Sequence, residues 1–203
     1  MCVNSASGFD NKSNLALNPA FLIRKPDPGD RRLQRLYILF QCMYPGSPML
    51  YYGDEAGMWG GDDPDCRKPM LWPDFQYQEE CSEGVNGDSE RYENRFDSTI
   101  FRYYAGVLAM REKNIALKSG TIRTILLDDE RRLYGFVRQA GANRVYILFN
   151  ASTQNQDCDI RLADVPEGVR VFAPLQKLSY FVERDGLHLT IPPRTGIVLI
   201  PAM

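Results

Sequence analysis

Two runs of this chain hold the side chains best suited to chemistry. The first, Gly46-Ser47-Pro48-Met49-Leu50-Tyr51-Tyr52-Gly53-Asp54-Glu55, closes on adjacent carboxylates, and the second, Asp63-Pro64-Asp65-Cys66-Arg67-Lys68-Pro69-Met70-Leu71-Trp72, sets acids beside a fixed arginine. Neighbouring side chains on a strand point to opposite faces, so Asp54 and Glu55 cannot both flank one bond, and they are expected to shape the end of a strand. Asp63 and Arg67 offer more. A carboxylate and a guanidinium supply acceptors and a planar fork of donors to vicinal hydroxyls, and Pro64 stiffens the loop between them. That is sugar chemistry. The alternative is that Arg67 pairs with Asp63 or Asp65 and only pins the loop, and the two uses are compatible. Trp59 and Trp72 could each present a flat ring to a sugar, although large aromatics pack more often than they serve as platforms.

Other chemistries find little support. Asp62, Asp63 and Asp65 fit no twelve-residue calcium loop, so no metal site is expected. No Gly-rich phosphate loop, Cys-x-x-Cys pair or nucleophile elbow is present, and no cofactor is expected. His188, the one histidine, sits in an alternating strand and reads as a surface or half-buried strand residue rather than a base.

The elements that must position these residues are legible in outline. Residues 1 to 25 are polar and aperiodic and read as irregular. A helix follows, with Asp27 as N-cap, Pro28 at its first position and Asp30 facing the positive helix start. From Leu33 to Met43 it is apolar on nearly all sides, so it must be buried or have a partner. Pro45 and Gly46 stop it, and Met49 to Tyr52, lacking polar alternation, predict a short parallel strand covered on both faces. From Gly53 to about Asp97 the chain reads as one long loop, of the kind that carries function.

A second helix is expected over Ser98 to Lys113, capped by Ser98. After Gly120 the pattern changes to short strands: Thr121 to Leu127, Leu133 to Gln139, Arg144 to Asn150, Gln156 to Arg161, Val169 to Phe172, Leu187 to Ile191 and Gly196 to Ile200. Turn signals at Asp128-Asp129, Gly141-Ala142-Asn143 and Asp185-Gly186 suggest antiparallel connections. The domain boundary falls near Ser119, giving residues 1–118 and 119–203.

Composition sets the outer bounds. The 203 residues carry 24 basic and 26 acidic side chains without a long basic run, which argues against nucleic-acid and anionic-membrane partners. Five scattered cysteines lack metal-ligand spacing and read as free thiols in a reducing compartment. No signal peptide and no apolar run of membrane-spanning length is evident, so a cytoplasmic location is expected.

Gly46 to Glu55 resembles the last-strand motif of the α-amylase family of glycoside hydrolases (family 13). Asp63 to Trp72 is similar to the loop after it in cyclomaltodextrinases, neopullulanases and maltogenic amylases. The resemblance covers nearly everything after about Pro26. It implies a fold of class α/β plus all-β, the terminal piece of a (β/α)8 barrel followed by an antiparallel β-sandwich, and an α-glucan, maltooligosaccharide or cyclodextrin as substrate of the complete enzyme. It also implies that Asp63 and Arg67 hold a glucose unit on the non-reducing side of the cut bond, and that Trp72 packs as support.

Such a barrel alone takes about 250 residues, so the chain reads as a fragment. Retaining hydrolysis needs two carboxyl groups about 5 to 5.5 Å apart. In the family these lie on the fourth and fifth barrel strands, which would precede residue 1, so no catalytic residue carries over. The family also has a Ser-His-Asp or Asn-His-Asp sequence before this region, where this chain offers only Ser5-Ala6-Ser7. The expectation is a C-terminal piece of a glycoside hydrolase, itself inactive; the alternative is a non-catalytic carbohydrate-binding or interaction module. Apolar faces normally covered by the rest of a barrel further predict self-association or packing against the chain's own sandwich.

Overall fold

The computed structural model describes residues 24–61, 66–83, 89–160, 169–172, 180–183 and 186–201. The first helix, α1 (Pro28–Met43), starts where its cap predicts. Asp27 Oδ1 accepts from Asp30 N at 2.8 Å while Asp30 Oδ2 accepts from Asp27 N at 3.1 Å, a reciprocal box that satisfies two otherwise orphaned donors. Arg24 pairs with the buried Asp30 at 3.0 Å. The helix stops before Gly46, whose φ of 109° suits only a residue without a Cβ.

Met49 to Tyr52 do not form the expected strand. A strand needs a ladder partner for its N–H and C=O groups, and none of the described strands pairs with this segment. Met49 O accepts from Gln41 Nε2 at 2.5 Å, and Tyr51 O accepts from Asp54 N in a turn at 3.2 Å. The apolar side chains from Met49 to Tyr52, expected to be buried, are exposed. The long loop after Gly53 in turn holds an antiparallel hairpin, β1 (Glu80–Glu83) and β2 (Ser89–Tyr92).

Helix α2 runs Ser98–Lys113 as the pattern predicts, but its cap is Asp97, not Ser98. Asp97 Oδ1 accepts from Thr99 N at 2.9 Å and Ile100 N at 3.1 Å. A short α3 (Ile115–Ser119) follows. Then come β3 (Thr121–Asp128), β4 (Leu133–Ala140), β5 (Asn143–Asn150), β6 (Gln156–Ile160), β7 (Val169–Phe172), β8 (Tyr180–Glu183), β9 (Gly186–Ile191) and β10 (Thr195–Pro201). The described strands of this region form a five-stranded antiparallel sheet, β3-β4-β5-β10-β7, and a three-stranded one, β6-β9-β8. The expected strand Gln156 to Arg161 is present as Gln156–Ile160, Arg161 lying outside the described residues, and Tyr180–Glu183 is a strand that the sequence pattern did not signal.

The chain divides into two compact units, one of Met1–Gln34 with Leu50–Tyr104 and one of Arg35–Met49 with Ala105–Met203. In the second unit, alternate residues of the two sheets, among them Leu133, Val137, Leu148, Ile160, Leu189 and Ile197, meet in one buried core. The opposite face of the five-stranded sheet is covered too. Phe149 meets Phe40 edge-on at 5.6 Å, Phe136 meets Tyr44 at 5.8 Å, and Gly196 leaves room for Leu39. Arg138 is fully buried on that face and donates to the carbonyls of Met43, Gly120 and Thr121 at 2.9, 2.9 and 3.2 Å. It thus satisfies carbonyls at two helix ends. Burial and the nearby Arg111 push its pKa below the ordinary guanidinium value. Arg111 donates to Cys42 O, Tyr44 O and Gly46 O, completing the C-terminus of α1.

Candidate functional site

The acidic motif lies in the first unit, on a run of turns rather than a strand end. Gly53 O accepts from Ala56 N at 3.1 Å and Met58 N at 3.0 Å, and Asp54 O accepts from Gly57 N at 3.2 Å. Gly57 has a φ of 78°, and a Cβ there would lie 2.7 Å from Asp97 Cβ, so this turn can close against the α2 cap only with glycine. Two α1 side chains fix the turns from outside. Arg31 donates to Gly57 O, and Gln34 Nε2 donates to Asp54 O at 3.0 Å and to the Tyr104 hydroxyl at 3.1 Å. Burial, opposed by the Gln34 bond and reinforced by Asp54 and Glu55, pushes Tyr104 up to about 12. Tyr104 therefore stays a neutral phenol beside these two half-buried carboxylates.

Of the sequence-derived candidates, Asp63 lies outside the described residues, as do Asp62 and Asp65. Arg67 is exposed on the loop that follows. Trp59 is 7 % exposed, with the Lys68 ammonium 5.0 Å from its ring centroid and Tyr92 edge-on at 5.8 Å. Trp72, by contrast, is 52 % exposed; its backbone N–H donates to Tyr77 OH at 2.6 Å, and Tyr77 OH donates to Met70 O at 3.2 Å. The sequence reading passed over Lys68. Its Nζ donates to Trp59 O at 2.8 Å and pairs with Glu80, and its carbonyl accepts from Tyr52 OH at 3.0 Å. One lysine thus joins the Tyr52 turn, the Trp59 segment and β1. No local signal announces it, because its partners lie at distant positions.

Two hollows flank Trp59. A small one is lined by Tyr51, Tyr52, Asp54, Cys66 and Lys68. Tyr51 OH contacts Cys66 Sγ there at 3.8 Å, and that bond holds the Tyr51 hydroxyl up at about 12. The larger, about 500 Å3, lies between Lys25, Arg31 and the segment Glu93 to Thr99. Among the described residues no group of three or more His, Cys, Asp or Glu side chains could hold a metal ion, and no helix is long and apolar enough to cross a membrane. His188 pairs with Asp159 across β6 and β9, as a half-buried strand residue in the second unit.

No family model matches the chain. Neopullulanase 2 of Thermoactinomyces vulgaris is 32 % identical over 173 residues, which is 84 % of this chain and 26 % of that protein. Cyclomaltodextrinase of Geobacillus thermopakistaniensis is 31 % identical over 172 residues, 84 % of this chain and 25 % of that protein. The chain therefore spans about a quarter of the length of these relatives. Among solved structures, a cyclomaltodextrinase superposes with a TM-score of 0.64 at 22 % identity, over 84 % of this chain and 26 % of that one. That likeness is one of fold.

Proposed function

Because this chain is a C-terminal piece of an α-amylase-family (glycoside hydrolase family 13) enzyme of the neopullulanase, cyclomaltodextrinase and maltogenic amylase kind, we propose that it serves the cleavage of α-glucosidic bonds in α-glucans or cyclodextrins. The observation that carries this is the 32 % identity to neopullulanase 2 across 84 % of the chain. In this reading residues 1–118 contribute the last strand, flanking helices and loop of a (β/α)8 barrel, and residues 119–203 a β-sandwich.

Asp63 and Arg67 hold a glucose unit of a maltooligosaccharide, and Trp59 contributes its ring. The exposure of Arg67 and the place of Trp59 beside two hollows support this assignment. The two catalytic carboxyl groups belong to barrel strands that this sequence does not contain. The described cysteines Cys42, Cys66 and Cys158 are free thiols, which supports a cytoplasmic location. The exposed Tyr37, Phe40, Tyr44 and Met49 support self-association of the isolated chain.

The test is activity. Purified chain releases no reducing sugar from starch, pullulan or cyclodextrin. Hydrolysis that disappears on Glu55→Gln would show instead that the local carboxylates are catalytic. In a complete enzyme carrying this sequence, Arg67→Ala weakens long substrates more than maltose-sized ones, and equal losses for both would remove the remote sugar contact.

A further inference from the structure

Lys68 adjoins Arg67, which is exposed, but its own side chain is turned back onto the protein. An ammonium has three N–H donors. One goes to Trp59 O at 2.8 Å and another to the Glu80 carboxylate on β1, while the charge lies 5.0 Å from the Trp59 ring centroid. The Lys68 carbonyl accepts from Tyr52 OH at 3.0 Å. A single residue is therefore held by three segments, 16, 9 and 12 positions away in sequence, all within the first unit. The Lys68 and Glu80 side chains are 29 and 20 % exposed, so water and salt screen this pair less than an open surface pair.

That anchorage passes to the neighbouring residue. Pro69 follows Lys68, and a residue before proline is confined to extended backbone. With carbonyl and ammonium both tied down, Lys68 keeps little freedom. A planar trans peptide sets the Arg67 Cα about 3.8 Å from the Lys68 Cα. On the other side of Arg67, Cys66 Sγ meets Tyr51 OH at 3.8 Å, a weak sulfur contact. The firm hold on Arg67 thus comes from Lys68. A guanidinium recognises hydroxyls through a rigid planar fork, so its use depends on where its backbone is held.

We propose that Lys68 is a positioning residue: tied to Trp59, Glu80 and Tyr52, it holds Arg67 where it meets the remote end of a glucan chain, and so sets how much better a long substrate is used than a short one. The proposal rests on the reading that Arg67 holds a glucose unit, and goes beyond it in naming what fixes Arg67. Lys68 itself touches no sugar, its donors being turned onto Trp59 and Glu80.

The test is a double-mutant cycle in a complete enzyme carrying this sequence, with maltoheptaose as the long substrate and maltotriose as the short one. Lys68→Met lowers kcat/KM for maltoheptaose about tenfold, through KM, and leaves kcat and the turnover of maltotriose within about twofold. Glu80→Gln, which keeps the shape of the side chain and removes its charge, acts in the same direction by about threefold. In an Arg67→Ala background Lys68→Met adds less than about twofold, because its effect passes through Arg67.

Maltotriose serves as the internal control, since a merely structural lysine affects both substrates alike. Equal losses for the two substrates overturn the proposal, and so does an unchanged maltoheptaose KM. A full Lys68→Met effect in the Arg67→Ala background overturns it as well, because Lys68 would then act on something other than Arg67. If Arg67→Ala weakens maltoheptaose selectively and Lys68→Met does not, the positioning role fails and the sugar contact of Arg67 stands. If Arg67→Ala weakens both substrates equally or neither, the contact and the positioning role fall together.

Discussion

The unit of Arg35–Met49 with Ala105–Met203 and the unit of Met1–Gln34 with Leu50–Tyr104 solve opposite problems. In the former, β4 and β5 are buried on both faces, and distant carbonyls are satisfied by buried side chains such as Arg138 and Asn150. In the latter, the described chain between Gly53 and Asp97 has one two-stranded sheet. It is held by single side-chain tethers, Arg31 and Gln34 onto the Asp54 turn and Lys68 onto Trp59 and Glu80. Its Leu50, Tyr51, Tyr52, Trp72 and Phe75 are exposed. The contrast separates two jobs: packed sheets supply stability, and tethered turns leave side chains and hollows available to a ligand.

The sharpest way to break this contrast is a pair of truncations followed by urea unfolding. Leu148→Ala empties a site that is fully buried in the sheet core and should cost about 3 kcal/mol. Phe75→Ala, at a residue 63 % exposed, should stay within about 0.5 kcal/mol. Similar losses at both positions would mean that the tethered turns are as tightly packed as the sheets.

Arg138→Met tests the polar side of the comparison. It keeps much of the volume but strands three carbonyls, those of Met43, Gly120 and Thr121, for an expected loss of about 2 kcal/mol. A neutral result would show that water reaches those carbonyls.

The smallest effect sharpens the contrast through thiols. Burial raises Cys42 and Cys158, both in the sheet-rich unit, from 9.0 to about 11. The unfolded chain loses these protons first as pH climbs past 9, so stability is full below that point and falls as pH rises toward 11. By pH 10 the loss is about 1 kcal/mol per thiol, and Cys158→Ala should remove its share of the slope. At neutral pH the half-buried Cys66 should be alkylated in the native protein, while Cys42 and Cys158 react only on unfolding. Peptide mass mapping reads this, and equal labelling of all three would contradict the packing.

What the sequence determined by itself is whatever its near neighbours encode. Asp27, Pro28 and Asp30 start α1, because a cap is a contact across three residues. Alternation and turn residues mark β3 to β7, β9 and β10, because a half-buried strand writes its faces into successive positions. The Asp54-Glu55 and Asp63 to Trp72 runs identify the family, and with it the fold.

What only the tertiary structure decided concerns distant partners. Met49 to Tyr52 read as a strand, yet a strand exists only beside another, and no described strand lies beside it. Asp97 and Ser98 are both competent caps, and only the folded chain chooses Asp97, whose carboxylate accepts from Thr99 N and Ile100 N. Nothing local marks Arg138 as buried, since its acceptors stand at positions 43, 120 and 121. Nor does anything local set Lys68 against Trp59, or leave Asn94, Ser98 and Thr99 around a hollow. Backbone preference is a property of adjacent residues, whereas ladder pairing, charge burial and concavity depend on which remote segments the fold brings together.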